Sequence, residues 1–510
     1  MRTYARTTTW AATVVVAIVL GTTGPAGAAP GFQTAEPPYV TLAPTAPPGS
    51  SVFPIISSGD TLNDFEFEGI PDGIGIAPHG DRKLDVFVTH EQSRVPFLGQ
   101  ADFVDSSVSR LVLDRSSALV RDADVALSDA VGLIRFCSAT MAGPDQGFSR
   151  YTFFANEESN DLLDVPAGAP YGPDPSIAPK RQAGYSVYLD AANGHFAVIP
   201  GMGRHNHENT MPVPGGWDEL ALISGDDTFS APASQLYLYT AEDDTAVRND
   251  QGELWAFRVT AVNGVSVDPT DPFNGANDYG DLQVGETFSG EFIPVPDDVA
   301  NGTTAATPQD GLENWSNANN VFQFIRIEDT AYDPNQPRRV FLADTGERRA
   351  LDDNLVSGRL RRGPSGSSGP YPNGRVFEMT FNAADPTQVD SLRILLDNDA
   401  GGYNNPAVMH QPDNMGTSTE GLIVQEDSSQ PPNSRVWFYD FLAGTWTVMA
   451  SVNKPAWESS GIVDASAWFG PGSWLLDVQG HGDFVDQEQQ GSVLVKREAG
   501  QLLLMRVPGT

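Results

Sequence analysis

The sequence predicts an all-β protein: a six-bladed β-propeller with long inter-strand insertions and a metal site at the mouth of its central channel. Three observations lead there. Short β-branched and aromatic runs, broken by Gly, Pro, Asn and Asp, fill the chain with almost no 3.6-residue periodicity. Six of these runs end in acids, as a weak repeat. Acids outnumber bases 66 to 30, for a net charge of −36, and Cys137 is the only cysteine.

From the start of the chain, Arg2 and Arg6 precede an apolar stretch at 10–20, and small residues close on Ala28-Ala29. This pattern predicts a secretory signal peptide over 1–29, cleaved near Ala29. The apolar stretch is shorter than the roughly 20 residues that span a bilayer, and no comparable run follows. The expectation is a protein that is secreted or held in the wall or periplasmic space, without integral membrane association. Residues 30–60, rich in Pro, Thr and Ala, read as an extended arm. Residues 61–510 read as a single propeller domain, with surface insertions at 162–182, 268–320 and 348–373.

The repeat consists of the segments 84–91, 151–158, 236–244, 340–347, 422–427 and 474–481. A second acid often precedes it. Asp72 lies 19 residues before Glu91, Glu328 lies 19 before Glu347, Glu458 lies 19 before Asp477, and Asp413 lies 14 before Asp427. This spacing fits two antiparallel strands and their turn, returning both acids to one face. Six such units around an axis make a propeller whose acids meet at one mouth. A single acid at a strand end is an ordinary turn residue; a sixfold recurrence is not.

The acid excess repels nucleic acid and anionic lipid, and it suits hard cations, which take oxygen ligands. One cysteine permits no internal disulfide, so stability falls to a large core, to metals, or to both. The segment Gly203-Arg-His205-Asn-His207-Glu208 carries a His-x-His-Glu cluster able to ligate zinc or iron, with Glu208 as the expected ligand. Cys137 is either a small buried hydrophobe or a thiolate on a soft or borderline metal. Arg326-Ile-Glu328-Asp329 sets a guanidinium beside two acids. That is either a local ion pair or, with Glu328 on a metal, an oxyanion clamp suited to phosphoryl chemistry. Arg348, Arg349, Arg359, Arg361 and Arg362 read as a solvated insertion. No Walker loop, His-Glu-x-x-His, Gly-x-Ser-x-Gly or dinucleotide fingerprint occurs.

In order along the chain, Thr89-His-Glu91, the Cys137 segment with Phe153-Phe-Ala-Asn-Glu157-Glu158, Gly203-Arg-His-Asn-His-Glu208, Arg326-Ile-Glu-Asp329, Pro412-Asp413-Asn414 and Gln479-Gly-His481 resemble the PhoX-type alkaline phosphatases. These are exported propeller enzymes that hydrolyse phosphate monoesters at ferric and calcium ions. The resemblance implies Cys137, Glu208, Glu328 and Asp413 as metal ligands, and Arg326 as the phosphate clamp. It implies Glu91, Glu157, Glu158 and Asp427 as calcium ligands, with Ca2+ and Fe3+ as cofactors and a small phosphorylated substrate. The chain departs from the family pattern in lacking a twin-arginine pair. Ile327 also stands where the family has Pro, and Asn156 where it has Cys. Two other readings stay open: a calcium-dependent propeller esterase, lactonase or phytase-like hydrolase, and a non-catalytic calcium-stabilised binding propeller.

Overall fold

The computed structural model describes residues 31–228, 234–352, 358–427 and 430–510; the expected signal segment 1–29 lies outside them. Six four-stranded antiparallel units can be traced along the chain. Their first strands are Pro71–His79, Phe136–Ala142, His207–Pro212, Ile327–Asp333, Pro412–Thr417 and Glu458–Asp464. Their second strands are Lys83–His90, Thr152–Glu157, Leu220–Asp226, Gln336–Asp344, Gly421–Glu426 and Ser473–Gln490. Each first strand packs on the next and the sixth returns to the first, so the six line a closed ring. The architecture is that of a β-propeller.

The second strands show why the sequence reads as short, unbroken apolar runs. A strand held between two neighbouring units buries both faces, and alternate side chains serve opposite cores. Phe153 packs with Phe87 and Phe136 towards unit one, whereas Phe154 packs with Leu222 and Tyr239 towards unit three. In the same way Leu342 and Phe341 face units three and five, and Leu422 and Ile423 face units four and six. The stabilising burial therefore lies between units, in a series of separate cores around the ring.

Three expectations about the insertions and the arm change. Within 30–60, Val40–Leu42 adds a strand to unit five through Thr445–Val452, and Ser51–Ser57 supplies the outer strand of unit six through Val493–Arg506. The arm is extended, but it is part of the sheets. Within 268–320, Phe288–Pro294 pairs with both Glu253–Val262 and Gln388–Asp397, joining units three and four into one sheet. Its Phe288 and Phe292 are core residues, which a surface insertion would not supply. The same segment holds the helix Pro308–Ala318, opened by a Thr307 cap and Pro308, with Leu312 buried. Among the described residues of 348–373, Ala350, Arg359 and Leu360 are buried, and Arg361–Arg362 forms an exposed strand. Among the described residues no helix is long and apolar enough to cross a membrane.

Candidate metal centre at the mouth of the channel

One local device is repeated around the ring. In every unit the pairing of first and second strands slips within the first strand; two residues are left unpaired in units one to five, and Gly461 alone in unit six, where Ser460 stays paired with Asp477. In register, the first of these residues are Asp72, Cys137, Glu208, Glu328 and Asp413, with the paired Ser460 at the matching place in unit six. The residues that follow them are Gly73, Ser138, Asn209, Asp329, Asn414 and Gly461, all unpaired. Glycine is required at two of these: a Cβ on Gly73 would meet the backbone of Ala139, and one on Gly461, at φ +30°, would meet Asp72 O. The residues just past the second strands of units one to five, Glu91, Glu158, Asp227, Thr345 and Asp427, come to the same end of the channel, as does Gln479 within the long second strand of unit six.

The bulges are pinned from the preceding unit. Thr89 Oγ1 donates to Cys137 O at 2.9 Å, Asn156 Nδ2 to Glu208 O, Thr345 Oγ1 to Pro412 O at 2.9 Å, and Gln425 Nε2 to Ser460 O at 3.0 Å. Side chains at the channel mouth are thus positioned by both strands of one unit and the end of its neighbour.

Three groups of potential ligand atoms, each lying within 4.8 Å of one another, follow in an arc: Asp72, Glu91 and Cys137; Cys137, Glu158 and Glu208; Glu208, Asp227 and Glu328. Shared members make the arc continuous through units one to four. Cys137 Sγ lies 3.6 Å from Asp72 Oδ2, and Gln479 Nε2 donates to both Asp72 at 2.7 Å and Glu91 at 3.1 Å. Arg326 forms a bidentate pair with Asp227, at 2.5 and 2.7 Å, and its Nη2 also reaches Glu328 Oε1 at 2.9 Å. A cleft of about 450 Å³ opens beside the arc, with Glu91, Arg135, Glu158, Asn206, His481 and Lys496 among its walls.

Burial and mutual repulsion set the protonation of these groups in the absence of cations. Burial, then Glu328 and Glu158, push Glu208 well above the usual carboxylate range; burial and Asp227 do the same for Glu158. Asp72 is raised by burial, Glu458 and Glu91, and Glu91 by burial and Glu458 to about 7. The Cys137 thiol is pushed up by burial, Asp72 and Glu208. At Glu328 burial outweighs the opposing guanidinium of Arg326. Burial disfavours the His481 imidazolium, yet contacts to Glu458 at 3.4 Å and Glu498 at 3.5 Å outweigh it.

This donor set fits metal ions. Both Glu208 oxygens and Asp72 Oδ1 are buried without a hydrogen-bond partner, which is costly for a carboxylate unless a cation or proton takes the place of a donor. Oxygen ligands suit calcium, and a thiolate with carboxylates suits a softer ion; a bound cation also favours the ionised forms that burial disfavours.

At this point the comparisons with known proteins bear on the fold. No family model matches the sequence, and no curated protein sequence matches it. Among solved structures, the chain is similar to Pseudomonas fluorescens PhoX in complex with vanadate, a transition state analogue, with TM-score 0.59 and 13% identity. That match covers 94% of this chain and 97% of the other. The soluble aldose sugar dehydrogenase of Escherichia coli matches at TM-score 0.38 and 10% identity, over 90% and 99% of the two chains. The PhoX likeness supports the propeller fold.

Of the residues predicted from sequence, Glu91, Cys137, Glu158, Glu208 and Glu328 are brought together in the arc. Asp413 and Asp427 lie at the same mouth, each raised by burial and Glu458, but belong to none of the three groups. Glu157 does not reach the mouth. Strand alternation turns it outward, where it takes a bidentate pair from buried Arg181 at 2.8 and 2.8 Å and N–H donations from Ile134 and Tyr185. His207 is likewise occupied, by Ser224 Oγ and Gly203 O. Arg326 is not free: Asp227 and Glu328 hold it.

Asp227 was missed as a site residue because the third repeat was assigned to 236–244. That segment is the third strand of its unit, Leu236–Ala241, and Asp243 beyond it caps a short helix. The second strand is Leu220–Asp226. The signal was present, since Asp227 lies 19 residues after Glu208, the same interval as Asp72 to Glu91.

Proposed function

We propose that the protein is an exported, metal-dependent phosphomonoesterase working at the channel mouth. The observation that carries this reading is the continuous arc of Asp72, Glu91, Cys137, Glu158, Glu208, Asp227 and Glu328 with Arg326 at its edge. The likeness in fold to a phosphatase structure holding vanadate supports it.

In this reading Asp72 and Glu91 hold calcium, Cys137 with Glu158 and Glu208 would hold an ion less hard than calcium, such as iron, and Glu208 with Asp227 and Glu328 would hold its neighbour. The bound ions supply Lewis-acid stabilisation of charge on the transferring phosphoryl group. The chain's own contributions follow from its geometry. Once Asp227 and Glu328 spend their charge on cations, the Arg326 guanidinium is released towards an oxyanion, which its planar fork can bind bidentately. Burial of Asp227 and Glu328 keeps the guanidinium at one place until then. The cleft beside Glu91 and Glu158, with Arg135, His481 and Lys496 in its wall, receives the alcohol portion of the ester.

The test is hydrolysis of an aryl phosphate by protein of known metal content, before and after chelation. Arg326→Ala is expected to reduce kcat/KM at least about 100-fold, as for a group stabilising charge on the reacting centre. Undiminished turnover in that variant, or none in fully loaded wild type, sinks the proposal. Cys137→Ser is expected to lose the softer ion and most activity while keeping calcium.

The Asp227–Arg326 pair favours one competing reading, a calcium-stabilised propeller without catalysis in which that pair stays shut. It predicts that chelation lowers Tm while no ester is hydrolysed under any metal regime.

A further inference from the structure

The first strand of each unit lies at an edge of its sheet and pairs on one side only, so six unpaired strand edges face the channel. Behind the mouth these edges enclose a second cavity, of about 440 Å³, that opens at the far end of the ring. Its floor includes Ser138, Asn209, Asp329 and Asn414, each one residue past a mouth acid or Cys137. Asn414 Nδ2 donates to Ser138 Oγ at 2.8 Å; units two and five stand opposite one another in the ring, so this bond crosses the channel. Beside it, Thr330 Oγ1 donates to Asn209 Oδ1 at 2.8 Å, and Asp329 accepts from Thr330 N at 2.7 Å and Met415 N at 2.8 Å. Asn414 is served less well. It is 1% exposed, and its Oδ1 is buried with no partner. An amide oxygen left so on the channel axis is costly until a donor reaches it.

The walls and rim define the molecule that would bring that donor. Ile76, Met141, Met211, Met415 and Val463 supply an apolar wall, and unbranched methionines adapt to an irregular guest. The rim carries the exposed carboxylates Asp145 and Asp464 and the rings of Tyr151, Tyr332 and Trp468. No Lys, Arg or His is among the lining residues. Arg115 stacks on Trp468 at 4.9 Å and donates to Ala467 O at 3.3 Å, without lining the cavity itself. Floor and rim are three residues apart along the strands, from Asn414 to Thr417 and from Gly461 to Asp464. That is a depth of about 10 Å at the usual strand rise.

We infer that the far end of the channel is a binding site for a small organic cation, an aromatic amine with an ammonium group at one end and a hydroxyl at the other. The ammonium lies among Asp145, Asp464 and the rim rings, where carboxylates and π faces both favour a cation. The ring packs on the methionines, and the hydroxyl donates to Asn414 Oδ1. A guest of this kind matches the depth of the cavity and supplies the donor that its floor lacks. An anion such as a phosphate ester finds no cation among the lining residues. The Ser138–Asn414 bond stands between this site and the mouth, and the inference stands apart from the phosphatase reading.

The experiment is titration calorimetry of the full-length protein, loaded with Ca2+, with tyramine as the probe. One equivalent of tyramine is expected to bind. Phenethylamine lacks the hydroxyl, and para-hydroxyphenylpropionate carries a carboxylate in place of the ammonium; each is expected to bind about 10-fold more weakly or worse. Asp464→Asn can still accept from Ser466 N but loses the charge, and is expected to weaken tyramine about 10-fold. Ala467→Trp, at an exposed rim position, is expected to block the entrance and abolish binding with Tm unchanged. No binding of millimolar tyramine to wild type, equal affinity for either analogue, or wild-type affinity in either variant overturns the inference. Should Ala467→Trp not fold, Asp464→Asn decides the location alone.

Discussion

Glu157 and Glu158 are neighbours in sequence, and the fold treats them as opposites. Glu157 turns outward into a shell of donors closed by Arg181; Glu158 turns into the mouth, where its nearest charges are acids. The same division separates Glu426 from Asp427, and Asp344 from the mouth residues beside it. A buried carboxylate supplied with donors is part of the framework. One supplied mainly with other carboxylates is waiting for a cation.

This contrast can be broken by mutation. The largest effect is expected at Glu157→Ala, which strands the buried Arg181 guanidinium and costs about 3–5 kcal/mol in denaturant unfolding. Glu158→Ala in metal-free protein is expected to cost nothing or to raise stability, because it removes repulsion. Equal losses in the two variants would erase the distinction.

pH sharpens it next. Without metal, burial and then Glu458 hold Glu91 and Asp427 at about 7, so the folded protein keeps protons that an unfolded chain releases near pH 4. The stability tied to these groups is full below about pH 4 and is lost as pH rises to about 7. The urea midpoint in chelator should therefore fall between pH 5 and 7.5, and added Ca2+ should remove the fall. A midpoint that climbs over this range would show the acids already ionised and compensated.

The smallest effect concerns the pins between units. Thr89→Val deletes the bond to Cys137 O and should cost about 1 kcal/mol, with metal content unchanged. A lost metal equivalent would mean that this bond shapes the site as well as supporting it.

Much of this was legible beforehand. The apolar runs ending in acids are the second strands of five units; Glu91, Glu158 and Glu328 stood in the repeat or its spaced pairs, and Glu208 came from its His-x-His-Glu cluster and the family resemblance. What failed did so for physical reasons. Leu236–Ala241 is as apolar as a second strand because it too is buried, so hydrophobicity could not distinguish it from Leu220–Asp226. Alternation at a strand end decides whether Glu157 or Glu158 faces the channel, and a tandem pair of acids does not reveal that phase. The insertion at 268–320 is dominated by turn residues, which concealed Phe288 and Phe292 among them. Arg326 stood beside Glu328 in sequence, but its other partner, Asp227, lies 99 positions away.

The strand Ser51–Ser57 completes unit six against Val493–Arg506. Unit six also sends Gln479 across to Asp72 and Glu91 of unit one. The seam of the ring and one end of the ligand arc are therefore the same place. Pairings so distant along the chain form slowly and late. The mouth cannot present its full set of ligands until the two ends of the propeller have met, so cation binding would report that the hoop has shut and would weigh against its reopening.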